Sequence, residues 1–194
     1  MREADIVRNT AETRIHLHLD LDGDGTFQGT SGIGFFDHML TLLAVHGGFT
    51  LALDAEGDLD VDNHHTVEDI GIVLGDALKE ALGDKRGIRR YGCFFCPMDD
   101  ALSRIVLDLS GRPYFVYDVQ IPVERIGAFE TEMTREFFLA AAMHGAMNLH
   151  MATLYGVNGH HIVESLFKGL GHALAEAASL REDAKVLSSK GVLE

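Results

Sequence analysis

Tryptophan is absent from this 194-residue chain and proline occurs only three times; neither shortage bears on function. The other absences exclude more. The two cysteines are Cys93 and Cys96, and a four-thiolate zinc site would need a second pair. A lone Cys-x-x-Cys with Phe94 and Phe95 between its thiols reads as a buried strand rather than a redox pair, in line with a reducing cytoplasm. Basic residues are scarce: 16 Lys and Arg stand against 30 Asp and Glu, a net charge of −14. That argues against nucleic acid as a partner. It leaves room for an anionic small substrate, which needs only a local basic pocket. No apolar run is long enough to span a membrane. Asp5, Arg8 and Glu12 interrupt any N-terminal apolar region, so no signal-peptide pattern is present and a cytoplasmic location is expected. With 46% apolar residues, the chain can build a proper core as one domain or two small fused halves.

What the chain does have is one seven-residue pattern twice: His64-His65-Thr66-Val67-Glu68-Asp69-Ile70 and His160-His161-Ile162-Val163-Glu164-Ser165-Leu166. Each opens a stretch of helical period. Val67, Ile70, Val73, Leu74, Ala77, Leu78 and Ala81 form one apolar face; Val163, Leu166, Phe167, Leu170, Leu174 and Ala177 form the other. Residues four apart share a helix face, so His64 with Glu68, and His160 with Glu164, can grip an ion. His65 and His161 sit about 100° round the axis and point elsewhere. The economical arrangement relates the two helices by a pseudo-twofold axis. One ion then takes His64, Glu68 and His161; the other takes His160, Glu164 and His65. The alternative is two helix starts with solvated His and capping Glu.

The duplication extends upstream. His38 to Gly47 aligns with Glu136 to Gly145 at a shift of 98 residues, against 96 for the His-His pairs. Thr13-Arg14-Ile15 resembles Ser103-Arg104-Ile105 more weakly. His38 and Glu136 are both metal-ligand types at helix starts, so each is a candidate ligand; His46 and His144 align too, with a packing role sufficient.

Along the chain, Ile15, Leu17, Leu19 and Leu21 alternate with His16, His18 and Asp20, a half-buried strand with the histidines outside. A turn at Asp22–Gly25 leads to a strand near Thr26–Gln28 and a loop at Ser31–Gly34. Helix 35–47 and a strand near Phe49–Glu56 follow. Asp58, Asp60 and Asp62 precede His64, where they either orient the histidines and cap the helix or form a solvated loop. Gly83-Asp84 ends that helix, and Arg86, Arg89 and Arg90 form a basic cluster. Strands at Ala101–Leu109 and Tyr114–Val119, a helix at Glu130–His144, a strand at Met147–Tyr155 and a helix at 160–179 complete the second half. The tail Leu187-Ser188-Ser189-Lys190-Gly191 is either unstructured or an anion clamp. The expected fold is α+β: an internal duplication of two ββαβα-like halves, about 1–92 and 93–187, with sheets packed on helices and a C-terminal substrate-binding tail.

Phe36-Asp37-His38-Met39-Leu40, Asp62–Gly75, Ser110-Gly111-Arg112-Pro113-Tyr114, His160–Lys168 and Ser188-Ser189-Lys190-Gly191 together closely resemble the imidazoleglycerol-phosphate dehydratase family of histidine biosynthesis. The likeness covers nearly the whole chain. It implies a fold similar to a domain of a small-subunit ribosomal protein, repeated. It implies a lyase that converts imidazole glycerol phosphate to imidazole acetol phosphate and water with two manganese ions per subunit. One ion would take His38, His65, His160 and Glu164; the other His64, Glu68, His161 and Glu136. Many members carry His where this chain has Glu136, and a carboxylate suits a hard ion. The resemblance places the substrate against those histidines, Glu68 and Glu164, and against Glu12, Arg90, Arg112, Lys168, Ser188, Ser189 and Lys190. The basic and hydroxyl groups would hold its phosphate, and Glu12, His65 and His161 would be catalytic. The substrate's imidazole ring, as an imidazolate, would relay electrons, with Glu12 shuttling the proton. Asp99 is the acidic alternative. The family also implies a closed shell of roughly 24 subunits, with metal sites completed between neighbours. Two rivals differ in class: a dinuclear metal-dependent hydrolase, which would cleave generic esters, and a non-catalytic metal-binding shell, which would not need Arg90, Arg112 and the tail.

Overall fold

The two apolar helix faces decide how the chain packs, because each must be covered on both sides. In the computed structural model, which describes residues 2–183, 185–191 and 193, every residue expected on those faces is buried. The first half runs β1 (Glu3–Asn9), β2 (Thr13–Asp20), β3 (Thr26–Thr30), α1 (Gly34–Gly47), β4 (Thr50–Gly57) and α2 (His64–Leu82). The second repeats it with β5 (Tyr91–Met98), β6 (Ala101–Asp108), β7 (Tyr114–Asp118), α3 (Met133–His144), β10 (Asn148–Tyr155) and α4 (Gly159–Ala178); a short hairpin of β8 (Arg125–Ile126) and β9 (Phe129–Glu130) is inserted before α3. The sheet orders, β1-β2-β4-β3 and β5-β6-β10-β7, are the same. In each, the last two strands are parallel and the other pairs antiparallel. The halves are thus βββαβα rather than ββαβα.

The added first strand, β1, has no clear signal in the sequence. Its sequence, Glu-Ala-Asp-Ile-Val-Arg-Asn, shows little apolar alternation because only Ala4 is fully buried. Its place at the sheet edge is set by its register against β2, Glu3 opposite Asp20. The strand expected around the cysteines is present as β5. It is buried on one face only: Cys96 is buried and Cys93 and Phe95 are exposed. The helix expected from Glu130 begins at Met133, since Phe129 and Glu130 pair with Ile126 and Arg125 instead.

The helices lie between the sheets. α2 covers β1 and β2, and α4 covers β5 and β6; across the middle, α2 packs on α3 and α1 on α4. Two glycines set these crossings. A Cβ on Gly75 would lie 2.7 Å from the Gly145 nitrogen and from the His144 Cβ; one on its repeat mate Gly171 would lie 2.8 Å from the Leu43 carbonyl oxygen. A side chain at either would push the helix pair apart. The seam is filled by Phe36, Phe137 and Phe167, with ring centroids 5.1 to 6.2 Å apart. Among the described residues no helix is long and apolar enough to cross a membrane.

Candidate active site

Both His-His-x-x-Glu patterns stand at helix N-termini. At α4, the Asn158 side chain accepts hydrogen bonds from the amides of His160 and His161, an N-cap contributing about 1 kcal/mol. At α2, the Asp62 carboxylate accepts from the His64 amide at 2.8 Å. The i,i+4 pairs meet as spacing requires: His160 Nε2 lies 3.0 Å from Glu164 Oε2, and His64 Nε2 lies 3.5 Å from Glu68 Oε2.

The helix crossing adds a third group. α1 lays His38 against α4, with Nε2 3.8 Å from Glu164 Oε2. His38, His160 and Glu164 each offer a donor atom, all within 4.8 Å of one another, the one such group of three among the described residues. Asp37 fixes the start of α1: its carboxylate accepts from Thr30 Oγ1, the Ser31 amide and Ser31 Oγ. The Ser31–Gly34 loop is therefore a clamp on the helix bearing His38. Glu164 is nearly buried and pairs with Lys168 Nζ at 2.6 Å. Burial raises its carboxyl, but the Lys168 ammonium and then His160 outweigh that and hold it below the usual range.

The equivalent crossing, α2 on α3, carries His64, Glu68 and, at the position of His38, Glu136. Here the three do not converge. Two carboxylates repel without a cation between them, and Glu136 instead accepts from Arg135 at 2.8 Å. The expected exchange of His65 and His161 between the two helix starts is also not made within one chain, because each helix packs on the other half's first helix rather than on its twin.

His65 and His161 have their own partners. His65 Nδ1 lies 3.0 Å from Asp58, and His161 Nδ1 lies 2.6 Å from Asp100. Each carboxylate accepts a hydrogen bond from Nδ1–H, which turns Nε2 into the available ligand atom, and each raises its histidine's pKa. Asp100 also accepts from the amides of Val157 and Asn158; His161 first, then these amides, hold its carboxyl far below the usual range. Asp58 thus orients a histidine, which the solvated-loop alternative does not describe. Sequence spacing does not reveal Asp100: it sits 61 residues from His161, in the β5–β6 turn, beside Asp99. Asp99 is 3.5 Å from His161 Nε2.

Glu12, on the β1–β2 turn, reaches within 3.7 Å of His65 Nδ1 and lines a cavity of about 300 Å³ with Thr10, Thr13, Gly57 and Asp58. At the other end of the chain, Arg90 donates to Asp108 at 2.6 and 2.9 Å and to the Leu187 carbonyl at 2.7 Å. This ties the tail down beside an open cavity of about 500 Å³ lined by Arg90, Arg181, Lys185, Ser188 and Ser189. Arg112, at the β6–β7 turn, Lys168, against Glu164, and Lys190 do not line it.

A duplicated sheet-and-helix sandwich that brings histidines and glutamates to paired helix starts defines an α+β enzyme with a candidate divalent-ion centre. The imidazoleglycerol-phosphate dehydratase family profile matches residues 31–174. Imidazoleglycerol-phosphate dehydratases of Heliobacterium modesticaldum and Oceanobacillus iheyensis are 59% and 55% identical over the full length of both chains. The crystal structure of the Staphylococcus aureus enzyme superposes with a TM-score of 0.84 at 36% identity, covering 92% of this chain and 99% of that one. That of Pyrococcus furiosus gives 0.83 at 39%, covering 97% and 100%. The chain belongs to the imidazoleglycerol-phosphate dehydratase family. It is a hydro-lyase of histidine biosynthesis, removing water from imidazole glycerol phosphate to give imidazole acetol phosphate.

Proposed function

We propose that this dehydration uses two manganese ions per subunit, in a cytoplasmic homo-oligomer whose neighbouring chains complete each metal set. The observation that carries the reading is the convergence of His38, His160 and Glu164. Two imidazole nitrogens and one carboxylate oxygen suit a divalent ion of manganese type, with positions left for further ligands. When bound, such ions would supply positive charge beside the substrate's ring and glycerol hydroxyls, favouring the ring's loss of a proton.

The chain's own groups divide the remaining work. The proton to be lost is not next to a carbonyl and is weakly acidic, so a placed base is needed; Glu12 takes it. The ring pushes electrons toward the neighbouring carbon as that carbon's hydroxyl takes a proton and leaves as water. The pair of the C–H bond broken by Glu12 then forms the carbon–carbon double bond and restores the ring, and the enol so formed becomes the ketone by losing its hydroxyl proton and gaining one on carbon. Asp58 and Asp100 keep His65 and His161 in one tautomer. Arg90, with Ser188 and Ser189 beside it, offers donors for the phosphate; Arg112, Lys168 and Lys190, outside that cavity in one chain, would join it from neighbouring chains. Glu136 would complete the set of His64, Glu68 and His161. The hydrolase alternative has no support from the relatives.

The separation of His65 from the His38 group, and of His161 from His64 and Glu68, supports sets shared between chains. An assembly near 24 subunits is expected by gel filtration of the metal-loaded protein; a mass near one subunit would overturn it. Chelator-stripped protein is expected to lose turnover of imidazole glycerol phosphate and regain it on adding manganese. Full activity after stripping, with no metal left by elemental analysis, would overturn the metal reading.

A further inference from the structure

Asp69 follows Glu68 on α2 but points the other way, into the sheet. It is 7% exposed. Thr13 Oγ1 donates to its Oδ2 at 2.5 Å, and Arg8 Nε lies 2.9 Å from its Oδ1. The Arg8 N–H is not aligned on the oxygen, so that contact is Coulombic rather than a hydrogen bond.

From Asp69 the hydrogen bonds run in one direction. An ionised carboxylate only accepts, so the Thr13 hydroxyl proton is committed to Asp69. Thr10 Oγ1, 3.2 Å from Thr13 Oγ1, accepts the amides of Glu12 and Thr13 at 3.1 and 2.9 Å. Its own proton is therefore free to go to Thr13. The chain is Glu12 amide to Thr10, Thr10 to Thr13, Thr13 to Asp69. The Glu12 carbonyl then accepts from the Asp58 amide at 3.2 Å, and the Asp58 side chain holds His65. One buried charge on α2 thus registers the Glu12 turn against His65.

The second half is an internal control. The repeat mates of Asp69 and Thr13 are Ser165 and Ser103, joined at 2.6 Å by a neutral hydrogen bond. Opposite Ile15 stands Arg8, and opposite its mate Ile105 stands Phe94. The mate of Glu12 is Leu102. The second half builds this place without charge although its β5–β6 turn carries Asp99 and Asp100; the buried charge occurs in the half whose turn carries Glu12.

We propose that Asp69 is a positioning residue for Glu12: it holds the β1–β2 turn so that the Glu12 carboxylate meets the substrate. The proposal rests on the acid/base reading of Glu12. In the manganese-loaded full chain, Asp69→Asn is expected to lower kcat by about 10- to 100-fold, as loss of an orienting group does, with KM within about twofold and metal content unchanged. Thr13→Val breaks the same chain while leaving Arg8 its partner. It is expected to behave alike, and it carries the test if Asp69→Asn does not fold. The deciding readout is a double-mutant cycle. In a Glu12→Gln background, Thr13→Val or Asp69→Asn is expected to cost nothing more. An equal fold-loss with and without Glu12 would show a merely structural role and overturn the proposal. Wild-type kcat in both single variants, with Glu12→Gln inactive, would overturn it and leave the Glu12 reading standing. Near-normal turnover by Glu12→Gln would overturn both.

Discussion

Glu12→Gln is expected to bind manganese and substrate as the parent chain does and to turn substrate over about 10²- to 10⁴-fold more slowly, the range for removal of a placed acid/base. The substitution keeps shape and hydrogen-bonding reach and removes only the ability to take a proton. Glu12 suits that role by position. It lies on a turn between two paired strands rather than on a free loop, and its side chain is about half exposed, open to an incoming molecule. It is also absent from the converging donor group of His38, His160 and Glu164. Steady-state kinetics with metal analysis on the same samples checks it. A variant that keeps two ions and near-normal kcat would assign the proton transfer to another group, with Asp99 the next candidate.

On the two-manganese proposal, Glu164→Gln is expected to abolish ion binding at His38 and His160, leaving one manganese per chain and lowering kcat/KM by more than about 10²-fold, since a bound cation would supply several kcal/mol of transition-state stabilisation. Glu164 has two tasks in this structure. One oxygen faces both histidines, at 3.0 and 3.8 Å, and the other pairs with Lys168 at 2.6 Å. A neutral amide keeps an acceptor oxygen but loses the charge that both tasks use. The variant will also lose stability. Breaking a buried ion pair costs about 3–5 kcal/mol, and the loss here belongs at or below the lower end because Lys168 keeps some contact with water. His160→Ala separates the two effects: it is expected to lose the same ion and the same activity while leaving the Glu164–Lys168 pair intact. Metal-to-protein ratios and thermal unfolding with and without chelator distinguish the cases. Two ions per chain in both variants would show that this cluster is not a metal site.

The duplication explains why the two halves differ where they do. His46 meets His172 at 3.1 Å in one helix crossing, and in the other, at the matching positions, His144 meets Asp76 at 3.1 Å. The same geometry is kept with different charge. Glu136 in place of a second His38, and Asp69 in place of a second Ser165, are changes of the same kind. Glu136 sits where one helix meets another and Asp69 where α2 meets the sheet, neither inside the aromatic seam.

The sequence by itself determined what lies within one or two helical turns. A period of 3.6 put His64 with Glu68 and His160 with Glu164, and put both apolar faces where they are buried. Its repeat marked His38 and Glu136 as mates. Motifs spread over the whole length identified the family and the reaction. Tertiary structure decided everything that depends on which distant segments touch. It set α1 on α4, so that His38 reaches Glu164 across 126 residues of chain. It kept α2 from α4, so that the histidines expected to cross between helix starts stand apart in one chain. It brought Asp100 to His161 and Asp69 to Thr13, pairings with no local signature. The reason is physical: spacing along a helix follows from backbone geometry alone, whereas a contact between elements follows from how whole apolar faces, and glycines such as Gly75 and Gly171, let them pack.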